Sequence, residues 1–583
     1  MSSSIHSKER CAMNAILTLV LAAAAIGIGY GVYAKSIDRK IIQPDDTKTT
    51  PAKMYMDGVD FTPANRNVLF GYQFKSVAAL GPIVGPIVAV RYGWLPALLW
   101  ILLGTFFIGW VQDYSSIIVG VREEGQTFGA LSYRLISPRA RNILLIFIYC
   151  YLWLIMGAFG KIVGYDLMGN PAVPLGVILV ILLGILAGQM TYKWKQDIIL
   201  TTVVTVVGAF IGIWLGTLPA VQNIFTGINT ALGETGSNIF WSVVTLILCY
   251  FGAVLPIWRW AQPINYVAFW IVFLGILGGT IGLLIWHPSF SADFPAFTNF
   301  NGQIGELPGL GPLWPVLFVT IACGAISGWH SLVSSSGTAR QLEKEGDALF
   351  VGGGAMFLEM FLAVLSLLAA VVGAGSLAQY MEWGGRAGVF SNGLAVFLSH
   401  IGVPETFGQP YGAVFLTLMA LTIMYLVVRF MRVASAEFLG DRIAVLRNVH
   451  VGSLVALVLS GILIWTGFWS RIWVLFGGAN QLMASLALLI ITLWLVSKGK
   501  NYWWSFIPFI FMFVTTIGAL GITGYKSFTA VDFAAGAAAA VGNIIAGGLA
   551  VVLIVCALIL AVDGVRAIVR AARREEVGAP AGR

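Results

Sequence analysis

Gly81-Pro82-Ile83-Val84-Gly85-Pro86 lies in the middle of an apolar run, residues 68–90, long enough to cross a bilayer as a helix. Proline removes a backbone donor and clashes with the preceding turn, and glycine holds a helix weakly. Two Gly-Pro pairs in tandem therefore predict an unwound segment near the middle of this span. Backbone groups freed at that depth are tolerated only when buried in protein or lining a wet cavity. The plainer alternative is a packing kink, because small residues also let helices approach closely. A second interruption, Gly252-Ala253-Val254-Leu255-Pro256, falls in residues 239–257.

The rest of the chain agrees with a membrane setting. Of its 583 residues, 58% are hydrophobic and only 10% are Asp, Glu, Lys or Arg, against about 25% in soluble domains. Mean hydropathy is +0.87. These values exclude a soluble enzyme, a disordered chain and a nucleic-acid binder, and describe an all-α polytopic membrane protein. The net charge of +8 is spread over connecting loops, so no nucleic-acid partner is expected. Cys11, Cys150, Cys249, Cys323 and Cys556 form no CxxC pair, which predicts neither a disulfide framework nor a metal centre. No cofactor is expected, and there is no GxxxxGK[ST] loop of a nucleotide-driven pump.

About fifteen spans satisfy the length requirement: 14–34, 68–90, 93–121, 141–163, 170–190, 196–217, 239–257, 264–286, 312–337, 350–375, 408–433, 450–468, 471–497, 503–524 and 542–562. Alternating the loops, with 388–402 left non-spanning, puts 26 of the 34 basic residues on one side and seven on the other. The positive-inside rule then sets the N-terminus outside and the C-terminus in the cytoplasm. The two interrupted spans are five apart and run in opposite directions, as an inverted five-plus-five repeat requires. The expected organisation is an N-terminal helix and cytoplasmic loop (1–67), a first repeat (68–217) and a second repeat (239–433). Additional helices (450–562) and a cytoplasmic tail (563–583) follow.

Lys75, Asp113, His330 and Glu359 are ionisable residues inside spans, where a charge costs about 2.5–3.5 kcal/mol even on insertion scales. By residue count all four sit roughly 10–14 Å inside the cytoplasmic edge. They are candidates for coupling or gating, with Lys75 expected to pair with Asp113 or Glu359; a static ion pair is the alternative. Ser327, His330, Ser331 and Ser334 share one helical face. With Lys75 and the Gly81, Pro82, Gly85 and Pro86 break, that face is the candidate substrate site. Asn480 and Gln481 read as interhelical glue.

Several stretches resemble the carbon starvation (CstA) family: LFGYQF (Leu69–Phe74), GPIVGP, GWVQDY with Asp113, and LPIW followed by Gln262-Pro263 and Tyr266. CGAISGWHSLVSSSGT (Cys323–Thr338), Glu359, the paired Arg429 and Arg432, and LFGGANQL (Leu475–Leu482) continue the match in order. The resemblance covers about residues 14 to 520. It implies an inner-membrane secondary transporter with a LeuT-like core, associated with uptake of pyruvate or peptides and driven by protons. The chain departs from the family pattern at Gln73, Lys75, Asn265 and Tyr425, the last two replacing acids.

The resulting expectation is a multi-pass carrier importing a small organic acid such as pyruvate with H+, Na+ being the alternative ion. A peptide transporter of the same fold is the runner-up. A non-transporting sensor or a channel is the rival from another class.

Overall fold

The computed structural model describes residues 13–465, 469–533 and 537–578. The expected extracellular residues 1–12 and the last residues of the expected tail, 579–583, lie outside them. Among the described residues all regular elements are helices. Twelve are long and apolar enough to span a membrane, and the bent pair Arg66–Val77 and Gly81–Tyr92 can be counted as one more. The expected spans 312–337 and 450–468 correspond to a pair of short helices and to the 17-residue Val449–Trp465. The final helix, Ala537–Gly578, runs on through the segment expected to begin a separate tail.

Burial separates a central bundle from lipid-facing helices. The most apolar windows of Trp473–Ser497 and Glu405–Leu439 are 100% and 94% buried, whereas those of Ala15–Ile42 and Ile198–Gly216 are 28% and 33%. A helix apolar all round belongs in the interior or against lipid, and these values sort the two cases.

The first break is real but displaced. Arg66–Val77 ends at Ala78, whose ψ of 101° is extended, and the chain bends by 46° before Gly81–Ala89 begins. GPIVGP is therefore the start of the second half-helix rather than the unwound segment. Pro82 occupies the first turn, where a missing N–H costs nothing.

The second break is elsewhere in the chain. Gly252–Pro256 interrupts nothing: Pro219–Val254 simply ends at an extended Leu255, and a turn leads into Ala261–Trp286. The interruption falls instead between Leu313–Thr320 and Gly328–Val333, where Ile321 to Ser327 leave helical geometry. Pro256 acts as a helix terminator, which the same local signal also permits.

Packing relations repeat across the bundle. Arg66–Val77 packs on Ala261–Trp286, as Gly328–Val333 packs on Trp469–Ser497. Pro138–Lys161 lies against Glu405–Leu439, and each also contacts Val449–Trp465 and Pro219–Val254. Ala387–Ser399 has 13 residues, about 20 Å of helix, too short for the ~30 Å hydrocarbon core. It lies against Glu405–Leu439 and Ala261–Trp286.

Candidate functional site

The two broken helices touch directly rather than facing each other across an open cavity. A Cβ on Gly81 would sit 2.3 Å from Cys323 Sγ, and one on Gly85 would sit 2.8 Å from the Thr320 carbonyl. From the other side, Gly324 lies against Ala363 and Pro82. Glycine at 81 and 85 thus permits backbone approach at the second break. Pro82 and Pro86, also fully within the buried core of Gly81–Ala89, shape the half-helix that makes this contact.

Unwinding Ile321–Ser327 frees carbonyls that must find donors. Gln481 Nε2 donates to Phe318 and Ile321 carbonyls at 2.8 and 3.0 Å, and Asn480 Nδ2 donates to Ala322 at 2.9 Å. Thr105 Oγ1 donates to Gly324 at 3.1 Å and Gln112 Nε2 to Ser327 at 2.8 Å. Asn480 Oδ1 in turn accepts from Ser327 Oγ and the Trp329 amide, both at 3.1 Å. The expected glue residues therefore hold the break open. An amide pair in an otherwise apolar helix was the available sequence signal.

Of the four ionisable residues, three converge. His330 Nδ1 lies 3.0 Å from Asp113 Oδ2 and Nε2 lies 3.3 Å from Glu359 Oε2, all with side chains 0% exposed. The imidazole on the second broken helix thus bridges the spans Trp94–Arg122 and Glu345–Gly373. Lys75 is also fully buried, but it pairs with neither acid. Its Nζ donates to Thr422 Oγ1 at 2.7 Å, and no carboxylate lies within 4.0 Å of it among the described residues.

The serine face is only partly shared. Ser327 precedes the helix, and Ser331 donates to the Gly328 carbonyl of its own turn at 2.7 Å. Ser334 alone reaches the first broken helix, accepting from Gln73 Nε2 at 2.9 Å. Asn265 Nδ2 donates to Ser76 Oγ at 2.7 Å, and Tyr425 donates to Asn265 Oδ1. The four departures from the family pattern therefore all make hydrogen bonds to or from the first broken helix or its immediate partners.

The basic end of the bundle is closed by the loop before the first broken helix. Asp60 pairs with Arg429 and lies 3.8 Å from Arg340, while Arg429 Nη1 donates to the Leu255 carbonyl at 2.9 Å. Backbone bonds from Ile257 to Val59 and from Ala64 to Gln341 complete the strap. Burial would raise the Asp57 carboxyl, but hydrogen bonds from the amides of Val59, Phe61 and Asp60 outweigh it and hold it below the ordinary range. Asp60 and Arg340 were not singled out from sequence, since charges in a loop look solvated.

A model of the family described as Carbon starvation protein CstA matches residues 14–383 and 374–519. The peptide transporter CstA of Bacillus subtilis is 29% identical over 557 residues, covering 86% of this chain and 89% of that protein. The pyruvate/proton symporter BtsT of Escherichia coli is 27% identical over 597 residues, covering 88% and 82%. Among solved structures, a mutant manganese transporter of Eremococcus coleocola aligns with a TM-score of 0.45 at 13% identity, covering 88% of this chain and 99% of that one.

Proposed function

From the premise that this chain belongs to the carbon starvation CstA family, we propose that it imports a small organic acid, pyruvate or a close relative, together with a proton. That it is a multi-pass transporter follows from the family; the substrate and the ion are our reading. The observation that carries it is Lys75, whose wholly buried side-chain nitrogen beside the first break has a hydroxyl as its hydrogen-bond partner and no carboxylate within 4.0 Å among the described residues. A buried cation is costly unless an anion offsets it. A substrate carboxylate at the break would supply that charge, next to the N-terminal amides of Gly81–Ala89.

In this reading Gly81, Gly85, Ser327, Ser331 and Ser334 shape the substrate site at the contact of the two breaks. Asp113, His330 and Glu359 form a gate, because the second broken helix cannot swing while His330 is held by two neighbouring spans. The repeats comprise 66–167 with 219–286, and 313–497, with the pair 174–216 inserted in the first. The repeated packing supports these bounds over 68–217 and 239–433. The excess of basic residues at one end favours a cytoplasmic C-terminus in the inner membrane. The proton is favoured over Na+ by the name of the Escherichia coli relative.

The peptide reading has its own support in the name of the Bacillus subtilis relative. It requires acidic groups for a free amine, and Asn265 and Tyr425 stand where the family pattern has acids. Counterflow in proteoliposomes decides. Exchange of labelled pyruvate, stimulated by an inward pH gradient and not by a sodium gradient, is expected. Exchange of labelled di- or tripeptide without pyruvate exchange would overturn the reading, and passive flux without counterflow would make the protein a channel.

A further inference from the structure

Cys323, His330 and Glu359 are far apart in sequence and were not expected to hold a metal. The fold brings one ligand atom of each within 4.8 Å of the others, and all three residues are buried. The three come from the unwound turn, the half-helix after it and the span Glu345–Gly373.

His330 Nε2 and Glu359 Oε2 stand 3.3 Å apart without the alignment of a hydrogen bond, and neither Glu359 oxygen has a hydrogen-bond partner among the described residues. Two ligands on one tetrahedral ion, each about 2.0–2.1 Å from it, are separated by roughly 3.3 Å. The other imidazole nitrogen lies 3.0 Å from Asp113 Oδ2, the carboxylate that orients a metal-binding histidine in many sites. Cys323 Sγ accepts from Asn480 Nδ2 at 3.4 Å, a contact a thiolate would keep, and its thiol donates to Ser327 Oγ at 3.5 Å, while the Ser327 hydroxyl donates to Asn480 Oδ1.

We propose that Cys323, His330 and Glu359 bind one soft divalent transition-metal ion of the zinc type. Sulfur and imidazole select such an ion over magnesium or calcium, which prefer oxygen alone. One thiolate and one carboxylate match its two charges; the thiol proton, with any proton on His330 Nε2 or Glu359, leaves to solvent as the metal binds, and the proton on His330 Nδ1 stays directed at Asp113. Asp113 is a positioning residue for the ring. The ion ties the unwound turn to Glu345–Gly373 and therefore locks the contact between the breaks. This inference rests on the cluster's geometry and is independent of which substrate is carried.

The test uses the purified full chain in detergent or nanodiscs with Co2+ and Zn2+ as probes. Expected are one Co2+ per chain and a thiolate-to-cobalt charge-transfer band that Cys323→Ser abolishes. Asp113→Asn should weaken binding roughly 10–100-fold while keeping the band. Should the serine variant fail to fold, X-ray absorption of the zinc-loaded wild type decides, with one sulfur expected at about 2.3 Å. Absence of a retained ion, a band surviving Cys323→Ser, or a zinc shell without sulfur overturns the proposal. None of these results would alter pyruvate counterflow measured without metal, so the two readings fail separately.

Discussion

Asn480 donates from its side-chain amide to the Ala322 carbonyl at 2.9 Å, across the gap that the second broken helix opens in its own hydrogen-bond ladder. The same side chain accepts from Ser327 Oγ and the Trp329 amide. The Tyr151 hydroxyl also donates to Asn480 Oδ1, so replacing Asn480 with leucine keeps the volume and strands all four groups. Each buried polar group left unpaired costs about 1–3 kcal/mol. Asn480→Leu should lower the thermal midpoint in detergent by several degrees and reduce uptake. An unchanged midpoint would show that the break is stabilised by other contacts.

The existence of a break in residues 68–90 was legible because Gly and Pro act on the backbone of their own helix. Its position was not, since Pro82 is compatible with a first turn and Ala78–Leu80 carry no breaking residue. The second break was missed for a related reason. Nothing in Ile321–Ser327 forbids a helix; the unwound form is held by Gln481, Asn480, Thr105 and Gln112, more than one hundred residues away. Local propensity yields to tertiary hydrogen bonding here. Shared depth brought His330, Asp113 and Glu359 together as candidates, but depth along a helix says nothing about direction around it, and Lys75 faces Thr422 instead.

Gly85 gives a steric test of the contact between the breaks. Its added Cβ would meet backbone, the Thr320 carbonyl at 2.8 Å and Ile321 Cα at 2.9 Å, so no side-chain rotation relieves the clash. Gly85→Ala should cut uptake at least several-fold, whereas Gly27→Ala, where nothing lies within 4 Å, should not. Equal activity of the two variants would mean that the breaks separate freely during transport.

Closure of the basic end depends on Asp60, which holds Arg429 and approaches Arg340. Asp60→Asn keeps the shape and removes the charge. It should increase labelling of Cys323 by a membrane-impermeant maleimide applied from the side that the basic end faces several-fold, because the strap over residues 57–64 loses its main anchor. Labelling no faster than in the wild type would assign Asp60 to packing alone. The same measurement from the opposite side should show no increase, which separates opening of one end from general loosening.

Lys75 supplies the sharpest separation between binding and structure. As a structural residue, its contribution is the single hydrogen bond to Thr422 Oγ1 at 2.7 Å, and losing that bond should destabilise the fold. As an anion-binding residue, its buried charge is itself a burden in the substrate-free protein, because removing an ammonium from water costs several kcal/mol. Lys75→Met retains the chain length and the apolar contacts while deleting the charge. The binding reading expects a thermal midpoint equal to or above that of the wild type, with pyruvate counterflow reduced at least tenfold. Protection by substrate adds an independent sign: pyruvate should raise the midpoint of the wild type by mass action and leave Lys75→Met unmoved. Lys75→Arg keeps the charge but brings a larger planar head into a closed pocket, so partial substrate protection is expected. A destabilised Lys75→Met that still exchanges pyruvate would return Lys75 to a structural role and remove the observation on which the organic-acid reading stands.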